Sequence, residues 1–212
     1  MKVVKQKALP RFAALFAVCL ITVGLCAATP EKTLVCFGDS ITAGYGLDAH
    51  DSYPSDLERL LTTRGYRYRV LNQGVSGNTT KDAVARVHSI VALKPDVVLV
   101  EFGGNDGLRG LPPTTTRRNL DMVLTALQAA HVRVLLVGIT LPPNYGADYV
   151  QSFSAIFREQ ASSHHVALMP MIYEGIYNLQ GTIQGDGIHP TAKGSQMIAE
   201  HLLPLLSPLL TK

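Results

Sequence analysis

Four short polar segments of this sequence carry the residue types that acyl-transfer chemistry needs. They are GDS at 38–40, NQGVSGNT at 72–79, GGND at 103–106 and DGIH at 186–189. Acyl transfer requires a nucleophile, a base, a group that orients the base, and hydrogen-bond donors for the oxyanion. These segments supply all of those groups if the fold brings them together.

A serine and a histidine form the predicted reacting pair. A serine hydroxyl is a weak nucleophile unless a neighbouring base accepts its proton, and His189 is the candidate base for Ser40. Asp186 lies three residues before His189, so its carboxylate can accept a hydrogen bond from Nδ1 and leave Nε2 to face Ser40. The carboxylate then fixes the tautomer of the ring and stabilises the imidazolium ion. We therefore predict that Ser40, Asp186 and His189 are the catalytic residues.

The same segments offer donors for an oxyanion hole. The tight turn after Gly38 can direct the backbone N–H of Ser40 into a pocket, and Asn105 can add a side-chain amide. Gly77 offers another N–H without a side chain in the way, and Gly74 in the same segment is an alternative. Taken alone, each segment also fits an ordinary turn or helix cap. Their joint occurrence favours a catalytic site with Ser40, Gly77 and Asn105 as the oxyanion hole.

Taken together, the segments resemble the four signature blocks of the SGNH (GDSL-type) hydrolases. GDSIT, the glycine of VSGNT, GGND and DGIHP occur in the order of that family, and the resemblance covers the whole mature chain, residues 29–212. The stretches at 101–113, 141–149 and 185–194 look most like its bacterial periplasmic branch. That branch comprises multifunctional acyl-CoA thioesterases, lysophospholipases and arylesterases.

The resemblance implies a role for each matching residue. The family is named for a Ser, a Gly, an Asn and a His, which here are Ser40, Gly77, Asn105 and His189. Asp186 completes the triad, and the match at the end of the second block is the reason for preferring Gly77. The resemblance implies a serine esterase that hydrolyses ester or thioester bonds of acyl substrates through an acyl-enzyme intermediate. We keep two alternatives: an acyltransferase or deacetylase acting on a carbohydrate or alcohol, and a non-catalytic lipid-binding protein.

Strand-like apolar runs alternate with helical patterns along the chain. The predicted strands are Thr33–Phe37, Tyr66–Leu71, Asp96–Phe102, Val132–Ile139 and Val166–Met169. The predicted helices are Ser52–Arg64, Thr80–Leu93, Thr116–His131, Asp148–Ser162 and Thr191–Leu206. This alternation indicates a parallel sheet covered on both faces. We predict a single three-layer α/β/α domain with a flavodoxin-like, five-stranded parallel sheet of order 2-1-3-4-5. Ligands bind beyond the carboxyl ends of such strands, where the polar segments lie.

The segments next to the candidate site are rich in apolar residues, which favours an acyl chain over a sugar ring. The candidate substrate-binding residues are Leu108, Arg109, Leu111, Pro143, Tyr145 and Ile188. Arg109 is the member of this set that could meet a phosphate or carboxylate. The alternative is that these side chains only pack the loops against one another.

The first 28 residues have the pattern of a secretory signal peptide. Four basic residues precede an apolar stretch at 12–25, and small residues occupy the −3 and −1 positions of a cut after Ala28. The apolar stretch is short for a membrane span, which takes about 20 residues. We predict a signal peptide at 1–28, a hydrolase domain at 29–212, and export to the periplasm or secretion. An uncleaved anchor is the alternative.

Charge and cysteine content exclude several classes of partner and cofactor. Four of the 19 basic residues and none of the 16 acidic ones lie in residues 1–28, so the mature chain has a formal charge of −1. We therefore expect no nucleic-acid partner. Cys36 is the only cysteine after residue 28, and the His and Asp residues lack metal-ligand spacing. We predict no metal and no cofactor. We also predict no membrane span in the mature chain, a monomer, and an acyl ester or thioester as the small-molecule partner.

Overall fold

The order of the strands gathers the polar segments at one edge of the sheet. A computed structural model of the chain describes Met1 and residues 32–212. In that part, five parallel strands pair in the order β2-β1-β3-β4-β5. They are β1 (Lys32–Gly38), β2 (Tyr68–Gly74), β3 (Val97–Glu101), β4 (Arg133–Val137) and β5 (Ala167–Met169). The predicted parallel sheet and its order are confirmed.

Helices cover both faces of this sheet. The helices of the described residues are α1 (Ser40–Ala43), α2 (Tyr53–Thr63), α3 (Thr80–Ala92), α4 (Gly104–Leu108), α5 (Pro113–Ala129), α6 (Ala147–His164) and α7 (Ala192–Leu206). Along the sheet, β2 lies on one side of β1, whereas β3, β4 and β5 follow one another on the other side. Because the connections between parallel strands are right-handed, α2 lies on one face of the sheet and α3, α5 and α6 lie on the other face. In agreement, α2 packs against α7, and α5 packs against both α3 and α6. The result is the predicted three-layer domain.

The two central strands are buried on both faces, as continuous apolar runs predict. The side chains at 34–37 in β1 and at 97–100 in β3 are fully buried. Cys36 is one of them, and burial raises the pKa of its thiol well above its usual range. Cys36 is therefore a core side chain with no access to substrate.

The elements that differ from the sequence-based expectation lie next to the polar segments. β2 extends to Gly74 because residues 72–74 continue the ladder opposite 36–38 of β1, although they are not apolar. The short helices α1 and α4 were not predicted, since four or five residues are too few to show a helical period. Among the described helices, none has the length and hydropathy that a membrane crossing requires. The predicted signal peptide lies, apart from Met1, outside the described residues.

Candidate active site

A pocket of about 210 Å³ opens at the carboxyl ends of β1 and β3. The order of the strands reverses between β1 and β3, and doubly wound sheets bind ligands at such a point. Ser40, Gly77, Asn105 and His189 all line this pocket. The fold thus brings four of the predicted site residues to one place.

Ser40 is the first residue of α1, and Asp39 alone separates it from the end of β1. The Asp39 carboxylate caps this helix because its Oδ1 accepts a 3.1 Å hydrogen bond from the N–H of Ile41. A Cβ on Gly38 would overlap the side chain of Thr42, so the chain can turn this tightly only with glycine. Ser40 is only 9% exposed, and its hydroxyl faces His189. The turn therefore fixes both the hydroxyl and the backbone N–H of Ser40 at the pocket.

A chain of hydrogen bonds joins the predicted triad. His189 Nε2 lies 2.8 Å from Ser40 Oγ, and His189 Nδ1 lies 2.6 Å from Asp186 Oδ2. The second carboxylate oxygen of Asp186 accepts the backbone N–H groups of Ile188, at 2.9 Å, and His189, at 3.1 Å. Burial raises the pKa of Asp186, but the hydrogen bonds and charge of His189 and the N–H of Ile188 outweigh it and lower the pKa to about 2. Asp186 is therefore an anion throughout the neutral range.

The loop that carries the triad acid and base is held from two sides. Ile183 and Pro190 form an antiparallel bridge that closes the loop into a short hairpin. Tyr173 donates a 2.8 Å hydrogen bond to the carbonyl of Ile188, and Tyr177 donates one of 3.0 Å to Gly187. These two tyrosines follow β5, so the last strand supports the loop that presents the base.

The ring of Tyr45 lies against the imidazole of His189, with 4.6 Å between the ring centroids. Its backbone carbonyl accepts a 2.8 Å hydrogen bond from Gln184, in the loop of the triad. Tyr45 is 54% exposed and covers one side of His189. It was not predicted from the sequence, because its contact with His189 exists only in the folded chain.

Gly77 presents a backbone N–H to the pocket. It has φ +82°, a left-handed conformation that glycine adopts without strain. Within the part of the chain that the structure describes, neither this N–H nor that of Ser40 has a hydrogen-bond acceptor. The alternative, Gly74, ends β2, and its N–H donates to Asn72 Oδ1. A Cβ on Gly74 would overlap the backbone of Ala43, so this glycine serves close packing.

Two arginines hold the segment that contains Gly77. Arg109 donates a 2.9 Å hydrogen bond to the Gly77 carbonyl. Arg86 donates to Asn78 Oδ1 and to the carbonyl of Gln73, each at 2.6 Å, and its guanidinium lies over the Phe37 ring. Sequence reasoning missed Arg86, which lies on α3 outside all four segments.

Asn105 lies in α4, next to the end of β3. Its amide nitrogen is 3.0 Å from Asp39 Oδ2 and 2.9 Å from the carbonyl oxygen of Asn78. Both amide hydrogens therefore have acceptors, so an oxyanion in the pocket would compete with Asn78 for one of them. The next residue, Asp106, is fully buried and accepts the backbone N–H of Thr80 at 2.9 Å, which ties α4 to α3.

A larger cavity of about 310 Å³ lies beside the catalytic pocket. The two share Gly104, Leu108, Ile139 and Ile188 as lining residues. The other side chains of the larger cavity are mostly apolar and come from residues 140–143, 171, 173, 177 and 187. An acyl chain whose carbonyl lies at Ser40 would therefore find an apolar space next to it.

The predicted substrate-binding residues divide into two groups. Leu108, Pro143 and Ile188 line the larger cavity. Arg109, Leu111 and Tyr145 do not line either space. Arg109 is held by the Gly77 carbonyl, Tyr145 donates to the carbonyl of Leu108 at 3.1 Å, and Leu111 accepts from Tyr149 at 2.8 Å.

Sequence reasoning missed Met171, Tyr173 and Tyr177, which complete the cavity. They follow β5 at the same edge of the sheet, so the rule used for the other strands would have found them. Asp48, His50 and Asp51 form a surface group in the described residues whose ligand atoms lie within 4.8 Å of one another. That group takes no part in the pocket.

Comparisons with known proteins identify the family to which the chain is similar. The model of the GDSL-like lipase/acylhydrolase family matches residues 36–197. Esterase TesA of Pseudomonas aeruginosa is 40% identical over 199 residues, which cover 93% of this chain and 99% of that protein. Thioesterase 1/protease 1/lysophospholipase L1 of Escherichia coli K12 is 38% identical over 183 residues, 86% of each chain. A crystal structure of TesA, 41% identical, matches 84% of this chain and 100% of its own with a TM-score of 0.81.

Proposed function

The chain belongs to the GDSL-like lipase/acylhydrolase family and is a carboxylic-ester hydrolase, and from that premise we propose that Ser40, His189 and Asp186 carry out the reaction. The observation that supports this assignment is the continuous hydrogen-bond chain from Asp186 through His189 to Ser40. The proposed substrates are acyl esters and thioesters, the bond types in the names of the relatives above.

Acylation begins at the 2.8 Å contact between Ser40 and His189. Nε2 of His189 takes the hydroxyl proton while Ser40 Oγ attacks the acyl carbonyl. The ionised Asp186 stabilises the imidazolium ion through the hydrogen bond to Nδ1. His189 then gives the proton to the departing alcohol or thiol, which leaves an acyl group on Ser40.

The negative charge on the tetrahedral oxygen needs donors that are already in place. The N–H groups of Ser40 and Gly77, which have no acceptor among residues 32–212, belong to residues that line the same pocket as Asn105. The Asn105 amide hydrogen that now donates to the Asn78 carbonyl would donate to the oxyanion instead. Since the oxyanion exists only after attack, this exchange would stabilise the transition state more than the bound substrate.

Deacylation repeats these steps with water as the nucleophile. His189 takes a proton from water, the hydroxide attacks the acyl carbonyl, and the proton returns to Ser40. The apolar cavity next to the pocket would hold the acyl chain during both steps. An acceptor alcohol in place of water would give a transesterified product, which distinguishes hydrolysis from acyl transfer.

The test is hydrolysis of p-nitrophenyl esters of increasing acyl length, from acetyl to palmitoyl, by the wild type and Ser40→Ala. We expect the substitution to lower kcat by about 10³-fold or more, because only binding and the oxyanion donors remain. Ser89→Ala is the matched control, since Ser89 is exposed on α3 and donates only to a backbone carbonyl. Retained activity in Ser40→Ala would refute the serine mechanism. A folded wild type that binds these esters without hydrolysing any would indicate a lipid-binding protein.

We also propose that the chain is exported. The support is the signal-peptide pattern of residues 1–28. Expression in a Gram-negative host followed by fractionation and N-terminal sequencing tests this. A periplasmic protein that begins at Thr29 supports the proposal, and a cytoplasmic protein that retains Met1 contradicts it.

A further inference from the structure

Two buried acids, Asp39 and Glu101, lie next to the turn that carries Ser40. Glu101 is the last residue of β3 and pairs in register with Gly38, which brings its carboxyl group to the backbone N–H of Asp39 and into a side-chain hydrogen bond with the Asp39 carboxyl group. Both residues are 1% exposed. Among the ion pairs of the described residues, neither carboxyl group has a Lys or Arg partner. Two buried carboxylates without a cation cannot both be ionised.

The two oxygens of Glu101 have different surroundings. Oε2 accepts the hydroxyl of Thr42 at 2.8 Å and the backbone N–H of Asp39 at 3.4 Å. Oε1 is buried and receives no hydrogen bond from any of the described residues. An ionised carboxylate would leave a charged oxygen without a donor in the protein interior, which is costly. A proton on the carboxyl group removes that cost.

Asp39 has the opposite surroundings. Its Oδ1 accepts the N–H of Ile41 and its Oδ2 accepts the amide of Asn105. Both oxygens therefore have donors, which suits a negative charge. Of the two acids, Asp39 is suited to carry the charge and Glu101 to carry the proton.

We propose that Glu101 is a positioning residue that stays protonated and donates a hydrogen bond to Asp39, so that the Asp39 carboxylate holds Asn105 and the turn of Ser40 in place. The inference rests on the proposed function, because Asn105 and Ser40 are assigned to the reaction there. Glu101 acts through Asp39 and does not contact the substrate.

The pKa directions of the two acids support this division. Burial, followed by the charge of Asp39, raises the pKa of Glu101 well above its usual range. Burial raises the pKa of Asp39, and its hydrogen bonds with Ile41, Glu101 and Asn105 and the charge of His189 offset part of that rise. The net result is a pKa of about 6. Above pH 6 the pair therefore carries one charge, on Asp39.

The other titratable groups that face this pair come from three elements. Tyr53 of α2 and Tyr173 after β5 both have pKa values raised well above the usual range, first by burial, so they stay neutral. The third is His189, whose charge acts on Asp39. Neither tyrosine is therefore ionised at neutral pH, and the charge of His189 favours the ionised form of Asp39, in line with a proton on Glu101.

Two substitutions separate a proton donor from a space-filling side chain. Glu101→Gln supplies a permanent N–H donor for Asp39 and keeps a carbonyl acceptor for Thr42. Glu101→Met has similar length but no donor. We expect Glu101→Gln to keep kcat within about threefold of the wild type, and Glu101→Met to lower kcat roughly 10- to 100-fold with little change in KM, less than the loss of a whole oxyanion donor. Glu159→Gln, at an exposed site on α6, is the control.

Infrared spectroscopy at pH 7 measures the proton without turnover. The carbonyl stretch of a protonated carboxyl group should be present in the wild type and Glu159→Gln and absent from Glu101→Gln. A band that persists in Glu101→Gln but is lost in Asp39→Asn would place the proton on Asp39 and overturn the proposal. Wild-type protein without such a band would overturn it as well.

The controls keep this inference distinct from the serine mechanism. Activity retained by Ser40→Ala refutes the proposed function, while the infrared band still decides where the proton lies. Circular dichroism shows whether Glu101→Met is folded. If Glu101→Met is not folded, the kcat and the infrared band of Glu101→Gln, compared with those of the wild type, still show whether Glu101 carries the proton. A 100-fold loss of kcat in folded Glu101→Gln would show that an ionised carboxylate is needed and would overturn the proposal.

Discussion

Nε2 of His189 lies 2.8 Å from Oγ of Ser40, although 149 positions separate the two residues in the chain. Ser40 lies just after β1, whereas His189 precedes α7, the last helix. The contact exists because α7 returns to pack against α2, the helix that follows Ser40. The nucleophile and its base are therefore assembled only when the first and last parts of the domain are folded together.

The hydrogen bond from His189 to Asp186 predicts the effect of removing the acid. In Asp186→Asn, an amide replaces the carboxylate that accepts the hydrogen bond from Nδ1–H of His189, so the ring is no longer held in the tautomer in which Nε2 can accept the proton of Ser40. We expect kcat to fall roughly 10²- to 10⁴-fold. Steady-state kinetics on p-nitrophenyl butyrate measure this. Asp121→Asn is the control, because Asp121 also contacts a histidine, with its Oδ1 2.8 Å from Nε2 of His164, and lies away from the pocket. Equal losses in both variants would contradict the prediction.

Gly77 predicts a separation of activity from stability. Its φ is +82°, so an alanine there is strained by its backbone, while the nearest atom to a new Cβ is 3.8 Å away on Arg109. Gly65 has φ +78° and open space around it. We expect both Gly→Ala variants to lose about 1–2 kcal/mol of unfolding free energy, but only Gly77→Ala to lose kcat. Urea denaturation and ester hydrolysis measure the two effects. An equal loss of kcat in Gly65→Ala would contradict the role of the Gly77 N–H.

The buried Asp39 predicts a pH dependence of stability. Its pKa is raised to about 6 in the folded protein, mainly by burial, so folding favours its protonated form. Its contribution to stability is therefore complete below about pH 4 and lost as the pH rises through 6. We expect Asp39 to lower the unfolding free energy by about 3 kcal/mol over this range. Asp39→Asn should remove that part of the fall, while the part due to Glu101, whose pKa is also raised by burial, remains. Exposed Asp148→Asn should keep both parts. A wild-type slope in Asp39→Asn would contradict the prediction.

Most of the site was predictable because its residues follow strands. A buried apolar strand followed by a polar, glycine-rich segment predicts both the fold and the edge at which Ser40 and Asn105 lie. Three of the residues that sequence reasoning missed act through tertiary contacts. Tyr45 covers His189, Arg86 reaches from α3, and Glu101 looks like an ordinary last residue of a strand. Their types and spacing carry no pattern, since their roles depend on which neighbours the fold supplies.

The larger cavity predicts how acyl-chain preference can be changed. Met171 is half-buried and lines this cavity but not the catalytic pocket, so Met171→Trp should fill the space for a long chain and leave the space for a short one. We expect kcat/KM for dodecanoyl and longer esters to fall about tenfold or more, while that for the acetyl ester changes little. Met122→Trp is the control, because Met122 is 48% exposed on α5. An equal decrease for all chain lengths in Met171→Trp would mean that the cavity does not hold the acyl chain.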